Sequence, residues 1–175
     1  IIIPILDVHG YIRALQYRNK VDSEHIPRYV WVSSDGLPHG GSSGSPFDIH
    51  IPERLTNQRI YITEGHFKAL KLSKETGSLV ISVQGVAAWR NIRQELSSIY
   101  RYFNNEVQVH YPMEEFIIAY DADLVTKENV KDQMYKLAMH LEQDLHRKVD
   151  ILRWDENYGK GIDDVFFNGH KQKLY

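Results

Sequence analysis

The chain has 175 residues, 42% of them hydrophobic, enough for one substantial core with a small appended subdomain and too few for two full-sized domains. A formal net charge of -2 excludes a protein that coats nucleic acid by bulk electrostatics, and the absence of cysteine excludes disulfides and thiolate zinc sites, so any metal must sit on oxygen or imidazole. No window approaches the roughly 18 apolar residues of a membrane helix, and the N-terminus lacks the pattern of a signal peptide. The expectation is a soluble cytoplasmic protein with no membrane partner. Because the first residue is Ile, it is expected to be a piece of a longer polypeptide.

Residues 1–18 predict a β-hairpin. An apolar run, Ile1 to Leu6, leads through Asp7-Val8-His9-Gly10 into the partly alternating Tyr11 to Arg18. A third strand is expected over Arg28 to Ser33. Ser34 to Pro46 is so dense in Gly, Ser and Pro that it reads as a surface loop. From residue 59 the rhythm changes to strands alternating with helices, the pattern of a mostly parallel sheet covered on both faces.

Arg59 to Thr63 is the first strand of that sheet. Gly65 to Thr76 follows as a helix stopped by Gly77, with Phe67, Leu70 and Leu72 expected inside and Lys68, Lys71 and Lys74 outside. Leu79 to Val83 is the second strand and Val86 to Phe103 the second helix. Phe116 to Tyr120 is an unbroken apolar run, as expected of a strand buried on both faces. Thr126 is the expected N-cap of a helix reaching His146, with Val130, Met134, Leu137, Leu141 and Leu145 on its inner face. Val149 to Trp154 makes the fourth strand, and Lys160 to Phe167 a turn and short helix. Two units are expected, a β-rich subdomain over 1–58 and an α/β domain over 59–175.

Three acids stand at strand ends. Glu64 ends the first core strand and Asp121 and Asp123 follow the third, and ligands of an open parallel sheet bind beyond the carboxyl ends of its strands. The spacing of Asp121 and Asp123 in extended chain points both side chains to one side, suited to a hard cation such as Mg²⁺ or Mn²⁺. That cation would polarise a phosphoryl oxygen, and Glu64, apart from the aspartate pair, would act as general base or acid. Gln84 and Gly85, after the second strand, and Gly65, after Glu64, lie on the same rim and would shape the site.

Glu64-Gly65 and Asp121-Ala122-Asp123, in this order and strand context, resemble the signature of the TOPRIM family over residues 59–168. The similarity is greatest to modules in primases and primase-helicases of plasmids, phages and mobile elements. It implies a four-stranded, mostly parallel sheet flanked by helices and a catalytic site of Glu64, Asp121 and Asp123 that joins nucleotides on a single-stranded DNA template. It also implies helicase or other domains as partners in a longer polypeptide. Ile3-Pro4-Ile5, Gly10, Arg18 and Arg28-Tyr29 are similar to the segment preceding TOPRIM in bacterial primases, which implies phosphate contacts from Arg18 and Arg28. Lys160-Gly161-Ile162-Asp163-Asp164 is similar to the stretch that supplies a further metal carboxylate, implying Asp163 first and Asp164 second. Lys68, Arg90 and Lys160 complete the basic candidates for nucleic acid. One departure is notable: Lys68 stands where bacterial primases carry an acid.

Competing readings use the same residues. Asp123 or Thr126 also suits a plain helix cap. A TOPRIM nuclease would use the same acids to cleave DNA or RNA, and a non-catalytic module would only bind nucleic acid. Phe116 to Val125 also fits a haloacid-dehalogenase phosphatase with Asp121 as nucleophile, although only about fifty residues follow Asp123 and Glu64 would then have no task. The nine histidines show no HxH or HExxH pairing and are expected mostly at the surface. Trp31, Trp89 and Trp154 are expected to be structural.

Overall fold

The structure is a computed structural model that describes residues 1–20, 27–122 and 127–170. Asp123 and the expected cap Thr126 lie outside the described residues. Strands β1 (Ile2–Leu6), β2 (Ile12–Arg18) and β3 (Tyr29–Trp31) form an antiparallel sheet in that order. The hairpin turns where expected, with the Asp7 carboxylate accepting the His9 and Tyr11 amides at 2.9 and 3.0 Å. This is the local side-chain bonding that makes Asp a turn former.

The second sheet holds the four parallel strands expected: β5 (Ile60–Glu64), β6 (Leu79–Val83), β7 (Glu115–Ile118) and β8 (Lys148–Ile151). A fifth strand, β4 (Asp48–His50), pairs antiparallel with β6 at one edge, giving the order β4-β6-β5-β7-β8. The architecture is therefore mixed α/β, a mostly parallel sheet flanked by helices and preceded by a small antiparallel β-subdomain. β4 escapes the periodicity because two of its three residues, Asp48 and His50, are polar, yet all three are buried.

Side chains alternate between the two faces of the sheet. Ile60, Ile62, Ile81, Phe116 and Ile118 face helices α2 (Ile92–Arg101) and α3 (Glu128–Met139), meeting Ile92, Leu96, Ile99, Met134 and Leu137. Val80 and Ala119 face α1 (His66–Thr76) and α4 (Ile162–Phe167), meeting Ala69, Leu72, Val165 and Phe166. A fully buried leucine such as Leu72 contributes roughly 2–3 kcal/mol by removal of apolar surface from water.

Two helix expectations need correction. Residues 86–91 form turns instead of the first turns of α2, with the Ala88 amide donating to the Gly85 carbonyl at 2.9 Å. In α1 the inner face is Ala69, Leu72 and Ser73, whereas Leu70 is half exposed. The phase is set by Gly65, the residue before the helix, where φ is +89°, a region an L side chain rarely enters. That turn swings α1 so that Lys68 faces inward over the sheet rim. Among the described residues no helix is long and apolar enough to cross a membrane.

Candidate active site

Glu64 and Asp121 sit beyond the carboxyl ends of neighbouring parallel strands. Ile62 pairs with Ile118 across β5 and β7, so the chain runs two residues to Glu64 on one strand and three to Asp121 on the other. The Ala119 amide donates to the Ile62 carbonyl at 2.8 Å, and the Thr63 hydroxyl donates to the Ala119 carbonyl at 2.7 Å, locking the two exits together. The Ala122 amide donates to the Lys160 carbonyl at 2.9 Å and so brings the segment before α4 to the same rim. There the Gly161 amide donates to the Asp164 carboxylate at 3.1 Å.

These elements enclose an open cleft of about 740 Å³. Its walls carry Glu64, Asp121, Asp163 and Asp164 together with Arg18, Arg28, Lys68, Lys127 and Lys160, and Gly65, Gln84 and Gly85 line it as well. The described members of the expected site therefore share one cavity, with a single exception. Arg90 is not among the lining residues; its guanidinium donates to the Ala87 carbonyl at 3.2 Å within the turn before α2. Its expected role assumed an early start for that helix.

The antiparallel subdomain forms one wall of the cleft. Arg18, at the end of β2, lays its guanidinium over the rings of Phe67 (5.1 Å) and Tyr29 (5.9 Å), and Gln16 and Arg28 join it on the wall. A cation held on aromatic faces keeps its charge while its stem is fixed.

Charge is crowded on the acidic side. Burial first, and then the neighbouring Asp164, push the Asp163 carboxyl above its ordinary value, with Lys68 opposing them. Burial, reinforced by the charge of Glu64, keeps the nearby Tyr120 phenol protonated. Lys68 forms an ion pair with Asp121, both side chains being largely buried. Each of these acids offers carboxylate oxygen, the donor that a hard divalent cation takes, although among the described residues no three of them bring ligand atoms within 4.8 Å of one another. Gln84, on the same wall, has its amide nitrogen buried without a hydrogen-bond partner among the described residues.

A second cluster was not expected from the sequence. One oxygen of Asp48, Oδ2, accepts from His50 Nε2 at 2.8 Å and His66 Nδ1 at 2.7 Å, while Oδ1 accepts the Leu6 amide at 2.9 Å. One ligand atom from each of the three side chains lies within 4.8 Å of the others, so the group could take a metal ion. In the structure the contacts are hydrogen-bond lengths that satisfy a buried carboxylate. His50 and His66 are thus interior residues instead of the surface groups expected. The available signal was Asp-x-His at strand spacing between Phe47 and Ile51, with a second imidazole, His66, directly after Glu64-Gly65.

Residues 54–173 match the family model described as Domain of unknown function (DUF3854). The chain belongs to this family. No curated protein matches the DUF3854 chain. Solved structures do resemble it: the Aquifex aeolicus primase comprising zinc-binding and RNA polymerase domains, at 19% identity and a TM-score of 0.63, with 98% of this chain and 37% of that one covered. The DnaG primase catalytic domain bound to ssDNA matches at 14% identity and 0.61, covering 98% and 49%. A DNA primase domain from Pseudomonas aeruginosa matches at 15% and 0.57, covering 99% and 50%. The DUF3854 chain thus has a primase-core fold and spans half or less of the length of these three chains.

Proposed function

We propose that the chain is the TOPRIM-type module of a primase or primase-helicase and carries out divalent-metal-dependent nucleotidyl transfer on single-stranded DNA. The observation that carries this reading is the placement of Glu64 and Asp121 at the carboxyl ends of two hydrogen-bonded parallel strands, lining one cleft with Asp163, Asp164 and a basic wall. The likeness to primase structures, one of them described as bound to ssDNA, supports it at the level of fold.

In this reading Glu64, Asp121, Asp123 and Asp163, with Asp164 behind them, hold Mg²⁺ or Mn²⁺. Bound there, the ion supplies Lewis-acid polarisation of a phosphoryl oxygen and offsets the charge that develops in transfer. Glu64 takes the proton of the attacking hydroxyl. Residues 1–58 contribute Arg18 and Arg28, which hold the phosphates of template or nucleotide, and Lys160 does the same from residues 59–175. Gln84, Gly65 and Gly85 line the rim and shape the site. The origin in a plasmid, phage or other mobile element, the cytoplasmic location and a helicase neighbour belong to the same proposal.

The test is incubation of the chain with single-stranded DNA, nucleoside triphosphates and Mg²⁺ or Mn²⁺. Template-dependent products that Asp121→Asn lowers by at least 100-fold are expected. Shortening of the template would replace synthesis with a nuclease, and intact DNA binding with no chemistry would leave a binding module. Phosphomonoester hydrolysis insensitive to Glu64→Gln would point to the phosphatase.

A further inference from the structure

The cleft already contains a cation of its own. Lys68, on the first turn of α1, places its ammonium against Asp121 Oδ1, with side-chain exposures of only 22% and 17% for the pair. Its charge also reaches Asp163, whose carboxyl it draws down against burial and Asp164. The lysine stem passes close to Gly161, where a Cβ would collide with the Asp163 carboxylate and approach Lys68 Cε to 3.1 Å. The absence of a side chain at 161 leaves room for the lysine stem on its way to the acid that follows β7.

Charge balance gives this placement a consequence. Glu64, Asp121, Asp163 and Asp164 would sum to four negative charges when ionised, a total that favours two divalent ions. An ammonium paired with Asp121 in the same cleft occupies space, offsets one charge and engages one of the two Asp121 oxygens. A surface lysine would be screened by water and mobile, but this one is largely buried and paired.

We propose that Lys68 is a resident cation that fills one cation position of the cleft, so that the site takes one divalent ion instead of two and Lys68 itself contacts the substrate phosphate. The proposal rests on the reading of the cleft as a divalent-metal site. Lys68 is in this view a substitute for an ion, present at all metal concentrations, that moves from Asp121 toward the phosphate when nucleotide enters.

The experiment is a Mn²⁺ titration of the full chain, followed by the electron paramagnetic resonance signal of free Mn²⁺, for wild type, Lys68→Met, Lys68→Gln, Lys68→Glu and Asp121→Asn. Circular dichroism melts establish that each is folded. The expected result for wild type is one Mn²⁺ that Asp121→Asn abolishes, which separates it from any ion held by Asp48, His50 and His66. Lys68→Met and Lys68→Gln should bind a second ion, or the first about tenfold or more tightly, since a like charge a few ångströms away is removed. Lys68→Glu should show the largest gain. If wild type binds one ion that Asp121→Asn abolishes, yet all three Lys68 variants match wild type, the resident-cation proposal is overturned while the metal-site reading stands. If neither wild type nor any Lys68 variant binds Mn²⁺, both fall. Two variants that differ in polarity but lose the same charge keep the test decisive should one fail to fold.

Discussion

His66 Nδ1 donates to Asp48 Oδ2 at 2.7 Å and so fastens the first residue of α1 to the edge strand β4. Asp48 is fully buried, and burial alone would raise its carboxyl; hydrogen bonds from His50 and His66 outweigh that and hold it at about 2, below the ordinary 3.8. A depressed folded value means that the stabilisation is fully present above 3.8 and is lost as pH falls through about 2. The shift corresponds to roughly 2–3 kcal/mol. Asp48→Asn should therefore lower urea-unfolding stability by about that amount at pH 6, and the gap between variant and wild type should close toward pH 2. An equal gap at both pH values would refute the assignment.

Glu64 and Asp121 were legible because strand ends in an open parallel sheet are chemically privileged and the apolar runs before them are unambiguous. Arg18 and Arg28 became legible only through resemblance to another family, since nothing in residues 1–30 by itself says that this hairpin lies over a distant cleft. The Asp48 cluster was illegible for a different reason. A three-residue strand with two polar members looks like loop, and its burial is tolerable only because a ring from residue 66 supplies a donor. Leu70 was misplaced by an error of phase, as two neighbouring helix positions differ by about 100° and the starting angle is set by a glycine outside the helix. Arg90 was misplaced because Val86-Ala87-Ala88-Trp89 has helix-like composition, whereas the Trp89 indole N–H bonds to Gln133 on α3 at 3.2 Å and holds the segment as turns.

Gly65→Ala isolates the energetic role of the turn between Glu64 and α1. The added Cβ meets nothing within 4 Å, so no clash contributes, and the cost comes from φ at +89° alone. With ψ at 145° the residue is extended at positive φ, where a non-glycine residue should lose about 1–3 kcal/mol. Chemical denaturation measures this, and a change below a few tenths of a kcal/mol would mean that the turn relaxes and that the conformation is not required.

Arg18 and Arg28 line the cleft, whereas Arg90 does not. Binding of single-stranded DNA should weaken with salt in proportion to the phosphates contacted, with a logarithmic slope near 0.7 per contact. Arg18→Ala and Arg28→Ala should each lower that slope by about 0.7, and Arg90→Ala should leave it unchanged. Fluorescence anisotropy across a salt series reads the slopes directly. A loss of slope in Arg90→Ala equal to that in Arg18→Ala would place the nucleic acid on the α2 side of the molecule instead of in the cleft.

Gly161→Ala tests the packing that brings α4 to the strand ends. Gly161 has φ of -94°, which alanine adopts freely, so backbone strain is absent and only the close approach matters. The new methyl would displace the Asp163 carboxylate and the Lys68 stem, the two groups nearest to it. Fully exposed groups would step aside at little cost, but Lys68 is tied to Asp121 and Asp163 is half-buried beside Asp164. Global stability should fall by roughly 1–2 kcal/mol, as for overpacking at other close contacts. Nucleotide incorporation should fall by about tenfold or more, because displacing a positioned group by an ångström costs far more in rate than in folding. Thermal melts and primer-extension rates on the same preparation separate the two effects; a proportionate loss in both would assign Gly161 to folding alone.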